Sequence, residues 1–493
     1  MSDVHLKFVN NNYIKIETEL STLREISDHF TEFANNYKYH PKFKNKMWDG
    51  KIRLVNGLTA LIYRGLARQV LKFCQTRGYE VTFDDELIYD DVSIAEFDKF
   101  YESLNIPEEY SSRDYQKDSV IKCLQSKRRL LKSPTSSGKS LMIYLLYRWY
   151  NLRTLLIVPS IALVKQMASD FYDYGYKGDI TMSTDGLTNE VKGTGIVIST
   201  WQSLDNGKNS KPAWWYEQFE VLIGDEAHTC QATQLIKIIT SCVNAHYRFG
   251  TTGTFSENRL DNLTIEGLFG PVVVAISTRE MIDQGYAADI KIKGIILRHP
   301  KEVAEKLFSL APGEKWDGKK KYKEEVEYII NSSMRNNFIV NLTLSLKGNK
   351  LAFFRAKEHG RELERLFKER TQNVFYVDGT VGADEREAIR QQIDKLDDVV
   401  FLASIGTTST GVSINKLHHM ILAMPHRSKI KVLQSLGRML RLHESKEYAT
   451  LYDIGDDISL GKRSNMALTH FMERVRHYIN EEHKPTIYRV KLK

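Results

Sequence analysis

The sequence predicts an α/β fold: two mostly parallel sheets in tandem, preceded by a small α+β module. Three observations carry that prediction. From about residue 110 onward, short apolar runs alternate with amphipathic helical stretches, the rhythm of a parallel sheet covered by helices on both faces. A charged stretch at 301–327 interrupts this rhythm once, after which it resumes, so two such sheets follow one another. Ahead of them the charge swings: residues 36–72 hold nine Lys or Arg against the single acid Asp49, and residues 83–109 hold ten Asp or Glu against the single base Lys99. Such a swing marks a boundary, here ending near Pro107. The length of 493 residues agrees, since at roughly 150 residues per domain about three domains are expected.

Within the module, alternation at 13–17 and 52–55 predicts strands, and helical spacing at 20–33 and 65–75 predicts helices. The first large sheet takes strands at 129–132, 154–158, 196–199, 221–224 and 247–251, with helices at 139–150 and 161–172 between them. The second takes strands at 351–354, 374–377, 399–403 and 420–423. The charged stretch, with Lys319-Lys320-Lys321, reads as a surface insertion or linker, and the chain closes with a helix at 464–478 and a basic strand at 486–493. Domain boundaries follow at 1–105, 106–295, 296–335 and 336–493.

Composition excludes several classes. A hydrophobic fraction of 42% with 27% charged residues rules out disorder throughout. The cysteines Cys74, Cys123, Cys230 and Cys242 are scattered without a CxxC pair, which points to neither a zinc site nor a disulfide framework, and to a reducing cytoplasm. No apolar stretch approaches the ~18–20 residues of a membrane span, so no membrane partner is expected. The formal charge of +8 names no partner by itself.

The most informative segment is Ser133-Pro134-Thr135-Ser136-Ser137-Gly138-Lys139-Ser140, between a strand and a helix. A phosphate cradle requires this arrangement, because the N–H groups of the turn and of the helix N-terminus face the anion, Lys139 reaches the β/γ-phosphates, and the Ser140 hydroxyl ligates Mg²⁺. Ser133 stands where the usual pattern has Gly. The apolar run 221–224 then ends in Asp225-Glu226-Ala227-His228. Asp225 at that strand end is placed to hold Mg²⁺ through water, and Glu226 to orient and deprotonate an attacking water. ATP and Mg²⁺ are the cofactors so implied.

These residues resemble the ordered motifs of superfamily 2 DEAH-box helicases, over roughly residues 113–455, and the resemblance implies two RecA-like motor domains. It implies that Gln116, in Arg113-Asp114-Tyr115-Gln116, reads the adenine edge. Pro159, Thr200 and Gln202 stand in segments similar to the strand-end loops that grip a nucleic-acid backbone, and Thr252-Gly253-Thr254, with His228, in segments that couple hydrolysis to domain movement. Thr410 and Gly411 belong to a stretch resembling the motif that faces both ATP and nucleic acid, although Ser413 stands where many relatives carry Asp. Gln434, Arg438 and Arg441 stand in the segment resembling the arginine-finger motif. The two arginines lie three apart on a predicted helix and so share a face. The module, with Tyr39-His40-Pro41 and Trp48-Asp49-Gly50-Lys51-Ile52-Arg53-Leu54, resembles the one preceding the motor in UvsW-type helicases of T-even phages.

That resemblance implies an ATP-dependent DNA helicase remodelling branched DNA, such as stalled forks, Holliday junctions, D-loops and R-loops, with RNA met in R-loops. It further implies a monomer in the host cytoplasm, and phage recombination or single-strand-binding proteins as accessory partners. The residues themselves add a basic aromatic patch, in which Lys42, Lys44, Lys46, Lys51 and Arg53 neutralise phosphates while Trp48 or Phe43 stacks on an unpaired base. An RNA helicase, or an ATP-switched annealing protein, remains an alternative because the motif loops contact backbone rather than bases.

Overall fold

The computed structural model describes residues 3–87, 92–183, 195–205, 210–309, 316–404, 416–424, 443 and 446–492. The chain divides into two compact units, Met1–Ser277 and Thr278–Lys493.

The first unit is built on a seven-stranded sheet whose strands run, from edge to edge, Val272–Val274, Arg128–Lys132, Tyr247–Thr252, Val221–Gly224, Thr154–Val158, Ile196–Thr200 and Ile180–Ser183. Every neighbouring pair is parallel. Thr154–Val158 and Ile196–Thr200 are buried at every position, which is why they read as unbroken apolar runs rather than alternating ones. Helices Lys139–Tyr150 and Ile161–Asp173 close one core, where Tyr144, Tyr147 and Phe171 pack as edge and stacked pairs. The acidic stretch after the basic patch is not a free tether. Its helix Ile94–Ser103, N-capped by Ser93, buries Phe97 in that same core against Trp149.

The N-terminal module carries a four-stranded sheet in the order Leu61–Tyr63, Tyr13–Thr18, Val4–Phe8, Val81–Phe83. The stretch 20–33, expected as one helix, is helix Leu20–His29 followed by strand Thr31–Phe33. Antiparallel pairing of Thr31 with Arg53 and Phe33 with Lys51 overrides the local spacing. The module is joined tightly to the motor sheet's helix Arg259–Phe269. A Cβ on Gly65 would lie 2.1 Å from the Glu266 carbonyl oxygen, and one on Gly267 would lie 2.7 Å from the Tyr63 Cβ. Leu263 of that helix belongs to the module's own core with Leu66 and Val70. At the rim, Asn11 Nδ2 donates to Val243 O at 2.9 Å and Asn12 Nδ2 to Thr240 O at 2.7 Å.

The second unit has its own all-parallel sheet in the order Val374–Val377, Val400–Ser404, Lys350–Phe354, His419–Leu422, Tyr448–Asp457, Asp289–Arg298, Thr486–Lys491. The stretch expected as an insertion forms helices Lys301–Phe308 and Gly318–Asn331, and the second is capped by Asp317, which accepts from the N–H groups of Lys319 and Lys320. Glu325 on that helix is buried and accepts from Asn465 Nδ2 and the N–H groups of Met466 and Ala467, so it caps the start of helix Met466–Asn480.

Two buried ion pairs hold this unit together. Arg474 is bidentate on Asp453, and Tyr478 donates to the same carboxylate at 2.8 Å. Arg335 is bidentate on Asp456, with His299 Nε2 at 3.0 Å. Burial, the largest influence, pushes the Asp456 carboxyl up, but the Arg335 charge and the bonds from His299 and Arg335 overcome it and hold it at about 2.

Three outcomes follow for stability. Gly65→Ala should cost roughly 1–3 kcal/mol in denaturant unfolding, because the added methyl meets backbone rather than a movable side chain. Arg335→Ala should cost about 3–5 kcal/mol by leaving the Asp456 charge buried alone. Because the folded carboxyl of Asp456 lies below its unfolded value, its roughly 2 kcal/mol is fully present above about pH 4 and is lost as pH falls towards about 2. Acid melts of the wild-type chain and of Asp456→Asn should differ less and less across that window.

Candidate nucleotide and nucleic-acid site

Parallel pairing points the carboxyl ends of the strands the same way, and five of them end in the segments singled out from the sequence. Lys132 leads into the phosphate loop, Val158 into Pro159, Thr200 into Gln202, Gly224 into Asp225, and Thr252 closes the fifth strand. A crevice beyond the carboxyl ends is where open α/β sheets bind ligands.

The loop itself is held from below. Ser133 donates its N–H to Thr252 O at 2.9 Å, and its hydroxyl lies 2.5 Å from that of Ser137, which donates to Pro134 O. Tyr115 and Gln116 both donate to Ser137 O at 2.8 Å, while Gln116 Oε1 accepts the Arg113 N–H. Gln116 is therefore engaged with the loop and its own helix start. Gly138 has φ of +76°, a conformation that favours glycine, and a Cβ there would displace the Gln116 amide, 2.1 Å away. Pro134, Thr135 and Ser136 form the outer turn, with Ser136 also left-handed at φ 69°.

Lys139 opens the following helix, and its ammonium makes only long bonds to loop carbonyls, 3.4 Å to Ser133 O and 3.3 Å to Pro134 O. Ser140 Oγ lies 2.8 Å from the Tyr174 hydroxyl, whose pKa burial pushes up to about 12. Across the sheet, Thr251 donates to Asp225 Oδ1 at 2.6 Å. Burial and then the neighbouring Glu226 charge push the Asp225 carboxyl up, while Lys139, the Thr251 bond and the Glu226 N–H pull it down. Glu226 takes a left-handed φ of 50°, which turns its side chain towards His228, 3.3 Å from Glu226 Oε2 to His228 Nδ1.

The same His228 nitrogen lies 3.1 Å from Thr252 Oγ1, which donates to Thr254 O at 2.8 Å. A hydroxyl that spends its proton on Thr254 can only accept from His228, so the network assigns the proton to Nδ1. His228, Thr252 and Thr254 thus form one hydrogen-bonded chain, with the Glu226 carboxylate beside His228. The donor set fits a magnesium nucleotide: an ammonium with weak partners, a buried carboxylate, a hydroxyl at a helix start, and turn N–H groups.

The backbone-gripping candidates differ in what their side chains are free to do. Thr200 is buried and caps the helix Trp201–Leu204, accepting from Ser203 N–H at 3.3 Å, whereas Gln202 is exposed. Pro159 precedes Ser160, the cap of helix Ile161–Asp173. In the module, Lys42, Lys44, Lys46 and Lys51 are exposed. Arg53 pairs with Asp49 at 2.5 Å, and Trp48 donates to Lys51 O at 2.9 Å with its ring against His40. Phe43 packs edge-on to Tyr37, which closes over Gly50. The aromatic residues thus shape the loop that carries the lysines. Thr410, Gly411, Gln434, Arg438 and Arg441 lie outside the described residues.

Sequence reasoning passed over Tyr115, Tyr174 and Thr251, each of which bonds a site group. Only Thr251 carried a signal, since it directly precedes Thr252-Gly253-Thr254. Thr251→Val removes a bond that lowers the Asp225 pKa. The acid limb of the ATPase pH profile should therefore move to higher pH, with little change above neutrality.

Comparison with known families matches residues 3–84 to the model described as DNA helicase UvsW, N-terminal, residues 109–257 to Type III restriction enzyme, res subunit, and residues 334–443 to Helicase conserved C-terminal domain. The chain is 32% identical to the ATP-dependent DNA helicase uvsW of Enterobacteria phage T4, over 97% of this chain and 98% of that one. It is 23% identical to the DNA 3'-5' translocase XPB2 of Sulfurisphaera tokodaii, over 68% and 80%. The crystal structure of T4 UvsW aligns over 100% of both chains with TM-score 0.50 and 30% identity. A DNA-bound Type ISP restriction-modification enzyme, LlaBIII, shares the fold at TM-score 0.55 and 16% identity, over 77% of this chain and 31% of that one. With near-complete coverage by its phage T4 relative, and with both the module and the motor segments matched, the chain belongs to the UvsW family of ATP-dependent DNA helicases.

Proposed function

We propose that this helicase uses ATP hydrolysis to unwind and remodel branched DNA, including stalled forks, four-way junctions, D-loops and R-loops. The observation that carries the reading is the module itself: it holds a loop of exposed lysines in the same compact unit as the phosphate loop. A substrate held by Lys42, Lys44, Lys46 and Lys51 is then moved by the motor rather than trailing on a tether.

In this reading the turn N–H groups and Lys139 cradle the β- and γ-phosphates, with Pro134 to Ser137 and Gly138 shaping the turn. Ser140 and Asp225 would hold Mg²⁺, largely through water, and the ion would supply charge neutralisation between the phosphates. Glu226 orients the attacking water and takes its proton. His228, beside Glu226, couples its state to Thr252 and Thr254, to which it is joined by hydrogen bonds. Arg438 and Arg441 supply positive charge to the transferring phosphoryl group, with Gln434 on the same motif and Thr410 and Gly411 on the preceding one. Pro159 and Gln202 meet the nucleic-acid backbone, and Thr200 acts there by fixing the helix that carries Gln202. Backbone contacts carry little sequence information, so unwinding is expected to be sequence-independent.

Lys139→Ala should reduce DNA-stimulated ATP turnover on the order of 10²-fold or more while leaving DNA binding intact. Unwinding at the full rate by that variant would overturn the reading. Replacing Lys42, Lys44 and Lys46 with Ala should weaken fork binding and lower the slope of log affinity against log salt by roughly 2–3, about 0.9 per lost phosphate contact. An unchanged slope would remove the lysines from the interface. Forks of identical sequence in DNA and RNA separate the DNA motor from an RNA helicase, and turnover without strand displacement would point instead to an annealing protein.

A further inference from the structure

Two guanidinium groups lie buried, without a counter-charge, where the N-terminal module meets the first sheet. Arg128 and Arg248 are in register on adjacent parallel strands and are 5% and 1% exposed. Arg248 spends Nε on Ala245 O at 3.1 Å and Nη2 on Cys242 O at 2.7 Å. Arg128 bonds the Asn11 carbonyl through Nη2, and its Nε and Nη1 are buried with no hydrogen-bond partner. Arg64 comes to the same residue, with Nη1 donating to Asn11 Oδ1 at 2.8 Å, and Asn11 Nδ2 lies 3.3 Å from His246 Nδ1.

Among the described residues no carboxylate pairs with Arg128 or Arg248. Burial pushes the Arg128 guanidinium well below its ordinary range, and the nearby charges of Arg248 and Arg64 push it further. A guanidinium does not escape by losing its proton at any ordinary pH, so the burial is relieved by an added acceptor, most strongly by one that carries a negative charge.

We propose that this seam binds a small inorganic anion of the chloride class, which accepts from Arg128 Nε and Nη1 and fastens the module to the motor. Water is the competing occupant. Asn12 Oδ1 at the same seam is a buried acceptor without a partner and would suit a water, but water brings no charge to three converging arginines.

The test uses the full chain, exchanged into gluconate at constant ionic strength and then titrated with bromide. The melting temperature should rise saturably by roughly 2 °C or more, as for a ligand that binds only the folded state. Crystals grown in bromide should show an anomalous peak within hydrogen-bond distance of Arg128. Arg128→Met should lose both signals. Asn11→Asp, which installs a carboxylate where Arg64 and Arg128 meet, should melt independently of bromide, and it keeps the test decisive if Arg128→Met does not fold. An equal bromide response in the wild type and in Asn11→Asp, or a water without anomalous signal at Arg128, would overturn the proposal.

Discussion

The hydrogen bond from Ser133 N–H to Thr252 O, 2.9 Å long, continues the parallel ladder between Arg128–Lys132 and Tyr247–Thr252 one step past the strands. That step matters because the phosphate loop begins at Ser133 and the Thr252-Gly253-Thr254 segment begins at its partner. The bond ties the start of the loop to the start of that segment. Through Thr252 Oγ1 the same point reaches His228 and Glu226. A hydrogen-bonded path thus runs from the start of the loop to His228, whose ring lies 3.3 Å from the Glu226 carboxylate.

The second constraint is the seam between module and motor. Gly65 lies against the Glu266 and Gly267 backbone, Gly267 lies against the Tyr63 side chain, and Leu263 crosses from the motor's helix into the module's core. Cutting the chain before residue 106 would expose that apolar surface and would also strip Phe97 from the motor's interior. Point changes on the lysine loop are thus the cleaner probe of DNA recognition.

Legibility varied with the range of the interaction. Strands such as Thr154–Val158 and Val221–Gly224 were readable to the residue because burial on both faces demands an apolar run of strand length. Strand Thr31–Phe33 was not, since only its partner Lys51–Arg53 makes it a strand. The ten-residue strands Asp289–Arg298 and Tyr448–Asp457 were also missed. The first alternates lysines with isoleucines, and the second carries Asp453 and Asp456, which look like surface charges until Arg474 and Arg335 meet them.

What the sequence determined by itself was where the candidate site lies: Lys139, Ser140, Asp225 and Glu226 sit in short contiguous motifs at a strand end and a helix start. Their local backbone is enough to define a phosphate loop and an acidic pair. What only the tertiary structure decided was which charges remain available. Gln116 is engaged by the loop it was expected to stand beside, and Arg128 is buried with donors unspent. Partners of this kind can lie more than a hundred residues away in the chain, as Asn11 does from Arg128, and no local pattern encodes them.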